Sequence, residues 1–222
     1  MKKYALIVAG GSGQRMQRKT PKQFLLLADK PILMHTLAKF YQYDPQIIII
    51  LVLPKDMLSR WQQLCIQYTF TIPHQVTIGG DTRFQSVKNG LATIQQEGWV
   101  AIHDGVRPLV AVPTIQESFR IAQKHGNAVT AVPLKDSIRK VIGKKSEALH
   151  RQRYRLVQTP QTFSVSLIKE AYQIEETLDL TDDASVAEKA GFSIHLLEGT
   201  YQNIKITTPE DLLIAEALYK TP

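Results

Sequence analysis

Apolar residues along this chain follow two patterns that alternate from one end to the other. Short segments rich in apolar residues predict strands at 4–8, 46–53, 75–78, 99–102, 127–132 and 193–197, and the continuous run in 46–53 is the pattern of a strand buried on both faces. Apolar residues at helical spacing lie at 31–41, 55–68, from 82 to 94, and at 114–125, 164–176, 182–190 and 209–219. Strands that alternate with helices predict right-handed βαβ units. The fold class is therefore α/β, with a Rossmann-like, mainly parallel sheet flanked by helices.

One segment, at about 134–154, interrupts this alternation. Residues 136–142 alternate between apolar and polar, residues 143–146 (Gly-Lys-Lys-Ser) are typical of a turn, and residues 148–154 follow as a second strand. The segment predicts a β-arm that projects from the domain. The remainder of residues 1–222 contains no linker or repeat, so we expect a single domain of ordinary size.

The first predicted strand ends in a loop that is rich in glycine and positive charge. The loop and the residues after it contain Gly10, Gly11, Gly13, Arg15, Arg18, Lys19 and Lys22. Glycines let backbone N–H groups approach a ligand closely, and fixed cations balance its charge. The loop predicts a polyphosphate site; the alternative is an ordinary strand-to-helix turn with solvated cations.

Two familiar phosphate-binding motifs do not fit this loop. Arg18 stands where the Walker loop needs its second glycine, and Met16 stands where the dinucleotide fingerprint needs its third. The missing third glycine argues against an NAD-dependent oxidoreductase.

Polar or glycine clusters end three of the predicted strands: Gly10–Gly11, Gly80–Asp81 and His103–Asp104. Ligands of open α/β sheets bind at the carboxyl ends of the strands, so these clusters predict one site. For a single aspartate in this position, the alternative role is a helix N-cap. His103 has no serine or cysteine partner in a motif, which argues against a hydrolase triad.

The net charge of +7 is concentrated in one segment. Residues 135–155 contain eight Lys or Arg but only two acidic residues, and Tyr154 is the one aromatic residue among them. A site for single-stranded nucleic acid would need several aromatic side chains on which the bases could stack, and this segment does not have them. A phosphorylated small molecule is therefore the better partner. The longest apolar run, 47–53, is too short to cross a membrane, and the single cysteine, Cys65, falls on a helical apolar face. We expect a cytoplasmic protein without membrane contact.

Seven motifs between residues 5 and 212 together resemble one enzyme family. They are Gly-Gly-x-Gly-x-Arg-Met, Pro-Lys-Gln-Phe, Gly-Gly-Asp-x-Arg-x-x-Ser, His-Asp-x-x-Arg-Pro, Thr-Pro-Gln-x-Phe, Thr-Asp-Asp-Ala-Ser and Asn-Ile-Lys-Ile-Thr-x-Pro-Glu-Asp-Leu. The set resembles the 2-C-methyl-D-erythritol 4-phosphate cytidylyltransferases, which are nucleotidyltransferases of the non-mevalonate isoprenoid pathway. Ribitol-5-phosphate cytidylyltransferases are the alternative; Thr181–Ser185 followed by Glu188 favours the first.

This resemblance implies a role for each matching residue. CTP is held by Ala9, Gly10, Gly11, Gly13, Gly80, Asp81, Ser86 and Gly105. Arg15 and Lys22 stabilise the charge that develops on the α-phosphate, and Arg151 and Lys205 position the polyol phosphate. Asp104, Arg107, Ser137, Thr159 and Thr181 assist in binding that second substrate. The family usually has threonine in place of Ser137, and the hydroxyl is kept.

The resemblance also implies Mg²⁺ as cofactor and a homodimer, in which the arm of one subunit brings Arg151 to the other subunit's site. Asp104 is the candidate metal ligand. An acid that some family members carry before the Asn-Ile-Lys motif is replaced here by Tyr201 or Gln202. A non-catalytic nucleotide-binding regulator would be expected to lack Arg15 or Lys22, and this chain has both.

Overall fold

The structure is a computed structural model that describes residues 1–10 and 20–220. The strands are β1 (Lys2–Val8), β2 (Leu26–Leu27), β3 (Lys30–Pro31), β4 (Ile48–Leu53), β5 (Gln75–Ile78), β6 (Gly98–Asp104), β7 (Asn127–Pro133), β8 (Ile138–Ile142), β9 (Lys145–Leu149), β10 (Arg155–Ser164) and β11 (Leu196–Glu198). The α-helices are α1 (Ile32–Tyr43), α2 (Leu58–Gln67), α3 (Arg83–Ala92), α4 (Val112–His125), α5 (Val165–Ala171), α6 (Asp183–Lys189) and α7 (Pro209–Lys220). Short 3₁₀ turns occupy Lys22–Phe24, Lys55–Met57 and Arg151–Arg153.

The main sheet of the described residues has seven strands in the order β11-β7-β10-β6-β1-β4-β5. β1 pairs in parallel with both β4 and β6, β4 with β5, and β7 with β11. Only β10 runs antiparallel, to β6 on one side and to β7 on the other. The mainly parallel α/β fold predicted from the sequence is confirmed.

Both faces of the sheet are covered at its centre, which explains the apolar runs of β1 and β4. Neighbouring residues of a strand point to opposite faces. Leu6 of β1 packs with residues of α3, α5 and α6, whereas Ile7 packs with residues of α1, α2 and α4. Both side chains are completely buried.

The sequence analysis is wrong about residues 155–176. It places no strand between 155 and 164 and predicts a helix over 164–176, whereas the structure has strand β10 and a helix α5 that ends at Ala171. The middle of β10 is buried but polar, so it lacks an apolar run. Its polar side chains bond within the protein: the Thr162 hydroxyl donates to Ser118 Oγ at 2.9 Å, and Gln161 Oε1 accepts from Ala184 N at 2.8 Å.

Two helix ends have the residue types that such positions favour. Gly126 ends α4 with a positive φ of 90°, and Thr208 accepts a hydrogen bond from Asp211 N at the start of α7. β8 and β9 form the predicted arm as an antiparallel hairpin, but its second strand is Lys145–Leu149 rather than 148–154, because the turn is only Gly143–Lys144. We use "the arm" for residues 138–149. Among the described residues, no helix has the length and apolar character that crossing a membrane requires.

Candidate active site

The carboxyl ends of β1, β5 and β6 meet around a first cavity of about 390 Å³, as the sequence predicts. It is lined by the predicted residues Ala9, Gly10, Lys22, Gly80, Asp81, Ser86, Asp104 and Lys205. Strands β6, β1, β4 and β5 are neighbours in the sheet, so three loops that are distant in sequence come together at one edge.

The loop after β5 is held by the first turn of α3. Gly80 N donates to Ser86 Oγ at 3.1 Å, and Thr82 caps α3 by accepting from Gln85 N. Asp81 is therefore not the helix N-cap, and its exposed side chain lines the cavity. A side chain in place of Gly80 would collide with Gln85, which explains the glycine at this turn.

Lys22 reaches the same cavity from a short 3₁₀ turn whose other residues are anchored. Gln23 Nε2 donates to Ala9 O at 3.1 Å, and the buried Phe24 ring stacks on Trp61. The Pro-Lys-Gln-Phe motif thus uses Gln23 and Phe24 to fix the position of the lysine that precedes them.

A second cavity, of about 410 Å³, adjoins the first. The predicted residues Asp104, Arg107, Thr159, Thr181 and Lys205 line it, together with Gln158, Gln161, Asp182, Glu188 and apolar residues that include Val129, Val157 and Ile194. Three residues line both cavities: Arg83, Asp104 and Lys205. We call these three residues the junction.

Asp104 is the most strongly held charge at the junction. Its Oδ2 lies 3.1 Å from Lys205 Nζ and 3.1 Å from Arg107 Nε. Burial alone would raise the pKa of Asp104, but the positive charges of Lys205, Arg83 and Arg107 hold it well below its usual range. The carboxylate therefore stays ionised at any pH at which the protein works.

Two segments far along the chain complete the junction. Arg107 Nη1 donates to Asn203 O at 2.7 Å, and Ile206 N donates to Val106 O at 2.9 Å. The Thr159 hydroxyl accepts from Asp104 N at 3.1 Å. These bonds fix the Asn-Ile-Lys-Ile segment beside β6, and Lys205 then projects to Asp104.

His103, next to Asp104, has a structural environment rather than a catalytic one. Its ring is completely buried against Phe40, and Nε2 bonds to Arg107 O at 3.2 Å. Burial lowers its pKa to about 4, so the ring is neutral. The expectation that it has no role in a hydrolase triad stays a prediction.

Three predicted residues lie away from both cavities in the described part of the chain. Gly105 is buried against β1 and α1, where its N–H donates to Val8 O and its C=O accepts from Thr36. Ser137 and Arg151 are exposed at the base of the arm, where Arg151 donates to Lys135 O. The predicted residues Gly11, Gly13 and Arg15 lie outside the described residues.

The sequence analysis did not assign a role to Arg83 or Asp183, although both stand in the motifs that it used. They form a two-pronged ion pair, with Nη1–Oδ1 at 2.9 Å and Nη2–Oδ2 at 2.6 Å. The sequence signal was the Arg in Gly-Gly-Asp-x-Arg and the second Asp in Thr-Asp-Asp. Because 100 positions separate the two, no local pattern could have paired them.

The donor set fits a magnesium ion only if a substrate supplies ligands. Among the described residues, no group of three or more His, Cys, Asp or Glu side chains is placed to hold a metal. Mg²⁺ is usually bound by one or two carboxylates together with substrate phosphates and water. Asp104 offers one such carboxylate at the junction, next to the cavity where the Gly-rich loop begins.

Comparison with known proteins agrees on one family. The sequence profile of the family described as 2-C-methyl-D-erythritol 4-phosphate cytidylyltransferase matches residues 4–221. A relative with that description from Bacteroides thetaiotaomicron is 49% identical over 218 residues, which are 98% of this chain and 100% of the relative. A second, from Azobacteroides pseudotrichonymphae, is 48% identical over 217 residues, 97% of this chain and 98% of the relative.

A solved structure confirms the fold. The crystal structure of 4-diphosphocytidyl-2C-methyl-D-erythritol synthase from Anaerococcus prevotii superimposes with a TM-score of 0.84 at 28% identity, covering 99% of this chain and 96% of that one. The likeness therefore extends over nearly the whole length of both chains.

Proposed function

Because the chain belongs to the 2-C-methyl-D-erythritol 4-phosphate cytidylyltransferase family, we propose that it transfers CMP from CTP to 2-C-methyl-D-erythritol 4-phosphate. Pyrophosphate leaves, and CDP-methylerythritol is formed. The observation that carries the proposal is the pair of adjoining cavities that share Arg83, Asp104 and Lys205. A reaction that joins the anionic groups of two substrates requires two adjoining binding cavities, with charged residues where the cavities meet.

CTP is assigned to the first cavity and the polyol phosphate to the second. The first is lined by Ala9, Gly10 and Gly80, where little or no side chain separates the backbone from a ligand, and by the carboxylate of Asp81; these groups suit phosphates and a base. The second has hydroxyl groups at Thr159 and Thr181 and the cation Arg107, beside apolar Val129 and Val157. A small polyol with one methyl group and one phosphate suits this mixture.

The chemistry is an in-line displacement between two anions. A phosphate oxygen of the polyol phosphate attacks the α-phosphorus of CTP, a new P–O bond forms, and the bond to the β-phosphate oxygen breaks with its electron pair leaving on pyrophosphate. The attacking oxygen is already anionic, so no general base is needed. Lys22 and Lys205 reduce the repulsion by fixed positive charge, and Arg15 is assigned the same role.

Mg²⁺ is the cofactor that we assign to this site. When bound, it would neutralise phosphate charge as a Lewis acid. Asp104 would hold it together with the nucleotide phosphates. The chain's own contribution is to keep Asp104 ionised and oriented through Arg107 and Lys205.

We also assign a homodimer in which the arm reaches the partner's site. The arm is exposed, with Val141 74% and Ile142 55% exposed, and a two-stranded hairpin is only marginally stable alone. Ser137 and Arg151 lie at its base, away from both cavities of their own chain in the described residues. Contact with a second subunit would cover the apolar residues of the arm. It would also bring Ser137 and Arg151 to the substrate in that subunit's site. The cytoplasm remains our proposed location.

Pyrophosphate release tests the function. The protein is mixed with CTP, Mg²⁺ and either 2-C-methyl-D-erythritol 4-phosphate or ribitol 5-phosphate. We expect release with the first polyol phosphate and at least about tenfold less with the second, because a pocket distinguishes one small group by roughly 10–200-fold. Equal or greater release with ribitol 5-phosphate would assign the chain to the alternative activity, and release with neither would refute both.

A further inference from the structure

Arg83 lies between the two cavities and has no role in the mechanism described so far. It is the first residue of α3, directly after the capping Thr82, and its side chain lines both cavities. That side chain is 28% exposed, so part of it faces the open space of the junction.

Buried partners fix the plane of this guanidinium. Its two terminal nitrogens donate to the two oxygens of Asp183, whose side chain is fully buried. The Tyr172 hydroxyl donates to Asp183 Oδ1 at 2.7 Å and holds the carboxylate in turn. A two-pronged pair of this kind sets the orientation of an arginine as well as its position.

The ion pair with Asp183 uses the N–H groups at one edge of the guanidinium, and the N–H groups at a second edge remain as donors. An arginine has five N–H groups, and Asp183 accepts two of them, one from each terminal nitrogen. Nε–H and the second N–H of Nη2 form another fork on the side edge of the same plane. In the part of the chain that the structure describes, Nε of Arg83 has no hydrogen-bond acceptor. Such a fork matches two oxygens of a phosphate.

We propose that Arg83 is a catalytic residue whose side edge donates to the α-phosphate of CTP where the two cavities meet, and that Asp183 and Tyr172 are positioning residues. This inference rests on the proposed function. The α-phosphate must lie at the junction, because the bond is made between the occupants of the two cavities. Charge increases on its oxygens as the polyol phosphate oxygen adds and pyrophosphate leaves. A donor already fixed in direction stabilises that charge without reorganising.

The competing role for Arg83 is purely structural, a tie between α3 and α6. Removing Arg83 alone would not separate the two roles, since it would leave Asp183 as an unpaired buried charge and destabilise the fold. Replacing both members of the pair with apolar residues of similar size avoids that problem. The informative variant is therefore Arg83→Met combined with Asp183→Leu.

The double variant should remain folded but react slowly. We expect a modestly lower melting temperature, because the buried Tyr172 hydroxyl loses its acceptor, and a kcat that is lower by roughly 10²–10³-fold, the usual loss of one preorganised donor. Calorimetry should show weaker binding of CTP, by roughly tenfold, and unchanged binding of cytidine, which has no phosphate. Unchanged kcat and CTP binding would overturn the proposal, and so would equal weakening of CTP and cytidine.

Two single variants keep the test decisive if the double variant does not fold. Arg83→Lys keeps the charge and one bond to Asp183 but loses the fork, so kcat should still fall by at least about tenfold. Tyr172→Phe should lower kcat by a smaller factor, because it only loosens Asp183. Arg120→Gln, in an exposed pair with Glu117, is the control for loss of an arginine and should leave kcat unchanged. Wild-type kcat in Arg83→Lys would overturn the proposal.

Failure of the proposed function would be recognised separately. If the wild type releases no pyrophosphate with either polyol phosphate, the assigned reaction is wrong. The role of Arg83 is then tested by binding alone. If Arg83→Lys binds CTP more weakly than the wild type does, and cytidine equally well, the contact with the phosphate is supported. Equal CTP affinity overturns it.

Discussion

The junction and the arm both carry dense charge, yet they differ in what surrounds it. At the junction, Asp104 is buried and lies 3.1 Å from each of two cations. On the arm, Lys140 and Glu147 form a pair at 3.8 Å in which both side chains are more than half exposed. Water and salt screen the second pair but hardly reach the first. The segment with the most charge in the sequence is thus not where the described charges act most strongly.

Asp104→Asn should break the junction and have the largest effect. It would leave Lys205 and Arg107 without their shared carboxylate, so we expect pyrophosphate release to fall by roughly 10²–10³-fold. The free energy of unfolding should fall by about 3 kcal/mol, as in other broken buried pairs. Urea unfolding and the pyrophosphate assay measure the two effects. Asp44→Asn, in the more exposed pair with Lys3, is the control and should cost less than about 1 kcal/mol. If both variants lost the same free energy of unfolding, the buried pair would be no stronger than the exposed one.

Arg151→Ala tests whether the arm acts across a subunit boundary. Arg151 is exposed, so stability should change by no more than about 0.5 kcal/mol, while activity falls by roughly 10²-fold. Arg15→Ala should be similarly inactive. If the two variants are unfolded and refolded together, about a quarter of wild-type activity should return, because roughly half of the dimers are mixed and each has one intact site. Mixed dimers that are as inactive as the parents would show that Arg151 serves its own subunit.

The pH dependence of stability should report on the buried histidine beside the junction. Burial lowers the pKa of His103 from 6.5 to about 4, so between these values the unfolded chain binds a proton that the folded chain does not. The contribution of neutral His103 to the free energy of unfolding should therefore be fully present above pH 6.5. It should fall as the pH drops to 4, by about 1.4 kcal/mol per pH unit. His103→Gln should remove this part of the slope, measured by urea unfolding between pH 4 and 7. His150→Gln, at an exposed position, is the control, and an unchanged slope in His103→Gln would refute the assignment.

Asp81 is an exposed acid in a cavity, and it should have a moderate effect of a specific kind. Asp81→Ala should reduce the preference for CTP over UTP by roughly tenfold, since the loss of one hydrogen bond to a charged group costs about 1.5 kcal/mol. Thr82 caps α3, so the variant should fold normally. Initial rates with the two nucleotides measure the preference. An equal loss with both would mean that Asp81 does not recognise the base.

Glu147→Gln should have the smallest effect, because it changes an exposed acid on the arm. Its pair with Lys140 is screened by water, so we expect stability to change by less than about 0.5 kcal/mol. Thermal unfolding in low and high salt measures this. A loss above about 1 kcal/mol would show that the arm's charges are buried in the assembled protein.

Local pattern was sufficient to predict the sheet and its reactive edge. Apolar segments marked β1, β4, β5 and β6, and the residues that follow the predicted strands supplied Gly10, Gly80 and Asp104. The physical reason is that burial on both faces requires apolar residues along a central strand such as β4, and parallel strands all end at the same edge. The family's motifs added Lys22, Thr159 and Lys205, which line these cavities; their roles in the reaction stay predictions.

Tertiary structure alone decided what those residues contact. β10 is polar in its middle, and its place between β6 and β7 depends on bonds to Ser118 and Ala184 that no local pattern shows. Lys205 reaches Asp104 across 101 positions, and Arg83 reaches Asp183 across 100. A sequence reveals which side chains carry charge, but the strength of a charge depends on burial and on partners at a few ångströms. Both are set only when distant segments pack together.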